Sequence, residues 1–201
     1  AALGHSYKGV VTAPDCVTGG YTTYTCQNCG DSYKSNYTDA LALHSIKMIQ
    51  NDLVESYNGD MDKRASMHDA QCLAGMAFSN ALLGIVHSMA HKTGAIFEDY
   101  GAHIVHGAAN AMYLPKVVEY NAKDATAAKR YAVIADYMKL GGETVEEKVR
   151  LLIAYLRQMN DDLNIPQCIK HYGKDGLYAE QGFVPEGVFL ERLPGIATNA
   201  I

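Results

Sequence analysis

The sequence lacks a basic excess: 17 Lys and Arg stand against 22 Asp and Glu, a formal net charge of −5. That balance speaks against nucleic acid or an anionic membrane as a partner. It also lacks any apolar run long enough to span a bilayer, so no membrane anchor is expected. The first residue is Ala1, with neither an initiator Met nor a signal-peptide pattern, which suggests a fragment or processed product and a cytoplasmic location. Tryptophan is absent. There is no Gly-rich phosphate loop and no strand–helix–strand alternation, so nothing in the chain is expected to hold a dinucleotide. Five cysteines are an odd number and unevenly placed, with Cys16, Cys26 and Cys29 crowded early and Cys72 and Cys168 alone. Such a set fits metal binding or free thiols better than a full disulfide framework. What the chain does have is apolar content: hydrophobic residues make up 48 % of 201, enough for a real core in one large or two small domains.

Two textures divide the chain. From Leu3 to Tyr37 it is rich in Gly, Thr, Tyr and Ser and alternates in places, as in Gly20-Tyr21-Thr22-Thr23-Tyr24-Thr25-Cys26, which predicts short strands and turns. After Thr38, Ala40, Leu41, Leu43, Ile46, Ile49, Leu53 and Val54 set an apolar stripe at helical spacing. Thr38 or Asp39 is the expected N-cap of that helix and Asn58-Gly59-Asp60 its stop. A boundary is therefore expected near residue 37, with a Cys-rich strand-and-turn module over 1–37 and an all-helical domain over 38–201. Further helices are expected over 61–80, 83–96 and 122–140, with a short one over 107–113 ending before Pro115. Thr144 and Glu147 have the spacing of a capping box opening a helix to about Leu163. Pro166 should end that stretch and Pro185 should precede a last short helix. The fold class is mostly α.

The chemically informative run is Gly84-Ile-Val-His87-Ser-Met-Ala-His91-Lys-Thr-Gly94. His87 and His91 are four apart and share one helical face. Two imidazoles so placed can meet one metal ion, or one can bind a ligand while the other serves as a neighbouring acid–base group. Ser88 follows His87 where the zinc-protease helix requires Glu, so that pattern is not met. His103 and His106 follow before Gly107. Imidazole suits Zn, Fe, Cu and Ni alike, so residue type does not choose the metal. The competing structural reading is four ordinary core or surface histidines, with Met76, Met89 and Met112 as core.

Several runs resemble the iron-containing alcohol dehydrogenases, over residues ~36–193. They are Asn36-Tyr-Thr-Asp-Ala-Leu-Ala-Leu-His-Ser-Ile-Lys-Met-Ile49, Ala74-Gly-Met-Ala-Phe-Ser-Asn80 with Gly84-Ile-Val-His-Ser-Met-Ala-His91, His106-Gly107 with Asn110-Ala111 and Leu114-Pro115, and Ile165-Pro166. The resemblance implies the helical metal-binding half of that bacterial oxidoreductase fold. His87 and His106 match the family's two metal ligands in this half, with His103 as runner-up to His106. His91 matches the histidine that faces nicotinamide and substrate, and so is the catalytic candidate. The implied reaction is NAD(P)-dependent interconversion of a small alcohol and an aldehyde at Fe(2+) or Zn(2+). A cation on the alcohol oxygen favours the alkoxide that releases hydride.

The chain also departs from that family. The other two metal ligands, an Asp and a His four residues later, should lie on a helix before Tyr37, where the Cys-rich segment stands instead. Asp39 and His44 are spaced by five and align with the following helix, so they are not expected to substitute. The nucleotide-binding half and the family's Cys-Thr-Gly tail are not seen. A partial chain, inactive alone and self-associating through an exposed former domain interface, is expected. His5, Cys16, Cys26 and Cys29 form a His-x10-Cys-x9-Cys-x2-Cys array with the ligand types of a structural zinc site. So small a module needs a staple. Residues ~3–37 also resemble short Cys-rich repeats of Gram-positive cell-surface proteins. This gives a rival expectation, a metal-binding surface or interaction module, and suggests a chain joined near Tyr37-Thr-Asp-Ala-Leu41, which fits both parents.

Overall fold

In the computed structural model, residues 6–12, 21–28, 30, 32–81 and 84–199 are described. Three short strands come first: β1 (Tyr7–Thr12), β2 (Tyr21–Cys26) and β3 (Ser32–Asn36). They form an antiparallel sheet in the order β1-β2-β3, with Gly9 opposite Tyr24 and Tyr24 opposite Tyr33. The β-branched and aromatic alternation of Tyr21–Cys26 suits it to the centre, where both edges are paired. Cys26 is buried, its sulfur accepting from the backbone N–H of Ser6 and of Asn28, each at 3.4 Å. Of the proposed zinc ligands, His5, Cys16 and Cys29 lie outside the described residues.

The helix α1 (Tyr37–Tyr57) starts directly out of β3 and is followed by α2 (Met61–Ala81). Gly59 makes the turn between them at φ +102°, a left-handed conformation that favours glycine. Asp60 N–H then reaches back to the Glu55 carbonyl at 3.1 Å, while the Asp60 carboxylate accepts from the N–H groups of Asp62 and Lys63. One turn thus closes α1, as Asn58-Gly59-Asp60 led us to expect, and also caps α2. The pair is tied by the Ser45 hydroxyl donating to the Ala70 carbonyl at 2.8 Å in a buried position. Lys63 and Ser66 both reach the Asp52 carboxylate at 2.6 Å; they hold its pKa below the usual carboxylate value, and the Lys63 ammonium is correspondingly raised.

The chain divides into two compact units, residues 1–82 and 83–201. The change of texture near residue 37 falls inside the first, at the junction of β3 and α1. The second contains α3 (Ile85–Ile96), α4 (His106–Asn121), α5 (Ala125–Tyr137), α6 (Val145–Asp162) and α7 (Glu186–Asn199). Its core is built from Ala90, Phe97, Ile104, Ala109, Met112, Tyr172, Val184 and Ile196, among others. Alanines on α3 and α4 let those two helices approach closely. The Thr144–Glu147 capping box is present, each partner accepting from the other's backbone N–H at 3.2 Å. The Glu143 N–H, at 2.9 Å, and the Thr144 N–H both donate to the Glu147 carboxylate and hold its pKa below the usual value. Among the described residues no helix is long and apolar enough to cross a membrane.

The expected stop before Pro115 is corrected: α4 runs through it to Asn121. Proline has no N–H for the carbonyl four residues earlier, here that of Ala111, and a helix interior normally breaks for that reason. The vacancy is filled from another element. The buried Asn160 side chain on α6 donates to the Ala111 carbonyl at 2.9 Å. Replacing Asn160 by Ala should cost about 1–3 kcal/mol, the usual penalty for stranding a buried acceptor. Urea denaturation would read this as a lower midpoint at unchanged m-value; an unchanged midpoint would mean that Pro115 is tolerated for another reason.

Candidate functional site

One face of α3 and the start of α4 define the site. Gly84 is the extended N-cap of α3, so His87 sits in its first turn and His91 one turn on, facing the same way. A loop through His103 and Val105 then returns the chain, and α4 begins on His106. Three rings converge. The centroids of His87 and His106 are 5.2 Å apart, those of His91 and His106 4.5 Å, and those of His87 and His91 6.3 Å. His87 is half-buried, whereas His91 and His106 are exposed, so the cluster opens to solvent on one side of this unit. Burial, and after it the neighbouring His106 and His91, push the His87 pKa below the usual imidazole value. This favours the neutral ring, the form with a free lone pair for a ligand.

Asn110 stands one turn after His106. Its amide nitrogen lies 2.9 Å from His106 Nε2 and donates to the His106 carbonyl at 3.2 Å. Its Oδ1 is buried with no hydrogen-bond partner among the described residues. A buried orphan acceptor is uncommon in folded proteins and calls for an explanation. Here it lies beside the imidazole cluster.

The residues present meet part of what a metal ion needs. Two imidazoles sharing one ion, each nitrogen about 2.0–2.1 Å from it, hold their ring centres about 5 Å apart. The His87–His106 separation of 5.2 Å has that value. Yet among the described residues no three or more His, Cys, Asp or Glu side chains form a complete metal-binding set. The donors therefore fit one side of a coordination sphere, and further ligands would have to come from elsewhere.

His103, the runner-up, is held through its backbone rather than in the ring cluster. Its N–H donates to the Gln181 carbonyl at 2.7 Å, and its carbonyl accepts from the Tyr172 hydroxyl at 3.1 Å. The same hydroxyl accepts from Val105 N–H at 2.9 Å. Tyr172 is fully buried and clamps the last residues before His106. Sequence reasoning missed Tyr172, because a contact spanning nearly seventy residues leaves no local spacing. It also gave Asn110 no role, although its i,i+4 relation to His106 was a readable signal. Asp39 and His44 lie on α1, in the first unit.

Comparison with known proteins agrees with this architecture. Residues 31–186 match the Fe-containing alcohol dehydrogenase family, C-terminal. The NADPH-dependent butanol dehydrogenase of Clostridium saccharobutylicum is 54 % identical over 139 residues, 69 % of this chain and 34 % of that protein. The aldehyde-alcohol dehydrogenase of Clostridium acetobutylicum is 41 % identical over 157 residues, 70 % of this chain and 18 % of that protein. An iron-containing alcohol dehydrogenase structure from Thermococcus thioreducens superposes with a TM-score of 0.64 at 33 % identity, over 83 % of this chain and 38 % of that one. The chain thus spans about a third or less of the length of these curated relatives. With the match running from the last strand through all but the final helix, the chain belongs to the Fe-containing alcohol dehydrogenase family, its residues 31–186 corresponding to the C-terminal region.

Proposed function

We propose that this chain supplies the helical, metal-side part of an NAD(P)-dependent alcohol dehydrogenase that interconverts a small alcohol and an aldehyde. The observation that carries the proposal is the convergence of the His87, His91 and His106 rings, at the positions where the resemblance expects two ligands and a catalytic group. In this reading His87 and His106 hold a divalent ion, iron or zinc. Such an ion, when bound, supplies Lewis acidity toward an alcohol or carbonyl oxygen. His91, exposed beside them, positions substrate and carries a proton to or from it. Asn110 steadies His106, and its buried Oδ1 is available to accept a bond once the site is filled. Ile85, two residues before His87, and Val105, directly before His106, are exposed large apolar residues that suit a face another segment covers. The remaining ligands and the nicotinamide site would belong to that segment, so the chain alone is expected to be inactive.

Elemental analysis for iron and zinc in the purified chain and in a His87→Ala/His106→Ala variant tests the proposal. Metal present in the parent and lost in the variant is the expected result. Equal metal in both would overturn the assignment of these ligands.

A second reading rests on Cys26. Two backbone N–H groups on one buried sulfur are the surroundings of a thiolate ligand, which supports a zinc module in residues 1–37, of a kind resembling surface-protein repeats. The family match starts only at residue 31, consistent with a separate origin for that segment. About one zinc per chain surviving in the double-histidine variant, and released by thiol modification, would favour this reading.

A further inference from the structure

The second unit holds a cavity of about 240 Å³ between α4, α7 and the loop after α6, lined by none of the three clustered histidines. Met112, Tyr113, Val184 and Phe189 give it apolar walls, and the rim carries Cys168 with Lys116 and Lys170. Pockets for drug-sized ligands usually measure about 300–1,000 Å³, so this one suits a shorter molecule. The thiol is not isolated. Cys168 Sγ lies 3.7 Å from His171 Nδ1, within hydrogen-bonding reach for sulfur. A one-turn 3-10 helix over Ile169–His171 sets that approach, with His171 N–H donating to the Cys168 carbonyl at 3.1 Å. Lys116 donates to the Gln167 carbonyl at 3.2 Å, placing its ammonium next to the cysteine along the chain. Lys170 pairs with Glu186 at 3.0 Å, so one cation on the rim neutralises the rim's carboxylate and the other remains in excess.

From this geometry we infer a covalent site at Cys168 for small α,β-unsaturated aldehydes bearing a short hydrocarbon tail. The thiol is the nucleophile, His171 its base, and the apolar cavity the tail's berth. With His171 in the tautomer protonated on Nε2, Nδ1 takes the thiol proton as Sγ attacks the β-carbon. An S–C bond forms while the C=C π pair moves to give an enolate, whose charge the cationic rim favours. The proton passes from His171 to the α-carbon. The product is a thioether aldehyde; nothing leaves and nothing is oxidised or reduced. The site uses none of the histidines of the proposed metal face, so its test is independent of that reading.

Cys72 provides an internal reference. It is exposed on α2, whereas Cys168 is only partly exposed, so accessibility alone predicts faster modification of Cys72. The full chain would be treated with limiting trans-2-hexenal, and adducts at the two cysteines followed by peptide mass spectrometry. A positioned base supplies about 10²–10⁴-fold, and with the greater exposure of Cys72 set against it Cys168 is still expected to react at least ~10-fold faster than Cys72. His171→Ala should remove that advantage while leaving the Cys72 rate unchanged; His171 is exposed, so the substitution leaves the core intact. Acrolein, which has the same reactive group but no tail, should narrow the ratio. The proposal is overturned if Cys72 reacts as fast as Cys168, or if His171→Ala leaves the Cys168 rate unaltered. An equal ratio for hexenal and acrolein would overturn the role of the cavity.

Discussion

Gly173→Ala is expected to destabilise the second unit by about 2–5 kcal/mol. The value combines about 1–2 kcal/mol for a left-handed residue acquiring a Cβ with about 1–3 kcal/mol for forced overpacking. Gly173 has φ +70°, and a Cβ there would lie 1.9 Å from the Gly182 carbonyl oxygen and 2.6 Å from its carbon. Both are backbone atoms, so no side chain can swing aside. Gly182, at φ +82°, is itself pressed against Gly101, where a Cβ would come within 2.5 Å of the carbonyl oxygen. Three glycines thus let three loop segments stack backbone on backbone. The stack lies behind the loop leading to His106, since His103 N–H donates to Gln181, the neighbour of Gly182. Gly176→Ala separates the two costs: its φ is +66°, but a Cβ there meets nothing within 4 Å. That variant should lose only about 1–2 kcal/mol. Paired urea unfolding curves decide the matter, and a Gly173→Ala midpoint no lower than that of Gly176→Ala would show that the close approach does not control stability.

Those glycines mark where sequence reasoning ran out. Elements governed by local chemistry were readable: Thr144 and Glu147 announced the start of α6, Asn58-Gly59-Asp60 the turn between α1 and α2, and period-two alternation the strand Tyr21–Cys26. His87 and His91 were readable as a pair because four residues make a helical turn. Their meeting with His106 came from family resemblance, since nothing in the spacing requires α3 and α4 to pack with those faces together. Pro115 misled, because a local rule was overridden by a side chain 49 positions away from the carbonyl it satisfies. The Gly173–Gly182 crossing and the Tyr172 clamp belong to the same class. Each is a tertiary contact that restores what a local pattern forbids or leaves open, and it casts no periodic shadow in the sequence.

Tyr172 combines a stability effect with an effect on the site, and the two separate by substitution. The ring is fully buried and stacks on Tyr178 with centroids 4.7 Å apart. Burial also pushes the phenol pKa above its ordinary value, so the hydroxyl stays protonated and able to donate to the His103 carbonyl. Tyr172→Ala should cost about 3–5 kcal/mol, the range for emptying a large aromatic site in a core. Tyr172→Phe keeps the packing and removes one oxygen, which strands Val105 N–H and the His103 carbonyl at a cost of about 1–3 kcal/mol. Its more informative consequence is local. Val105 immediately precedes His106, so freeing the loop should let the His106 ring leave its 5.2 Å approach to His87. Hydrogen exchange at residues 103–106 should therefore quicken in Tyr172→Phe by more than the global loss of stability explains. Zinc or cobalt titration should show weaker binding, although neither proposed ligand, His87 nor His106, has been changed. A variant that loses stability yet keeps both local protection and metal affinity would make Tyr172 a packing residue only. The positioning of His106 would then rest on the start of α4 and on Asn110.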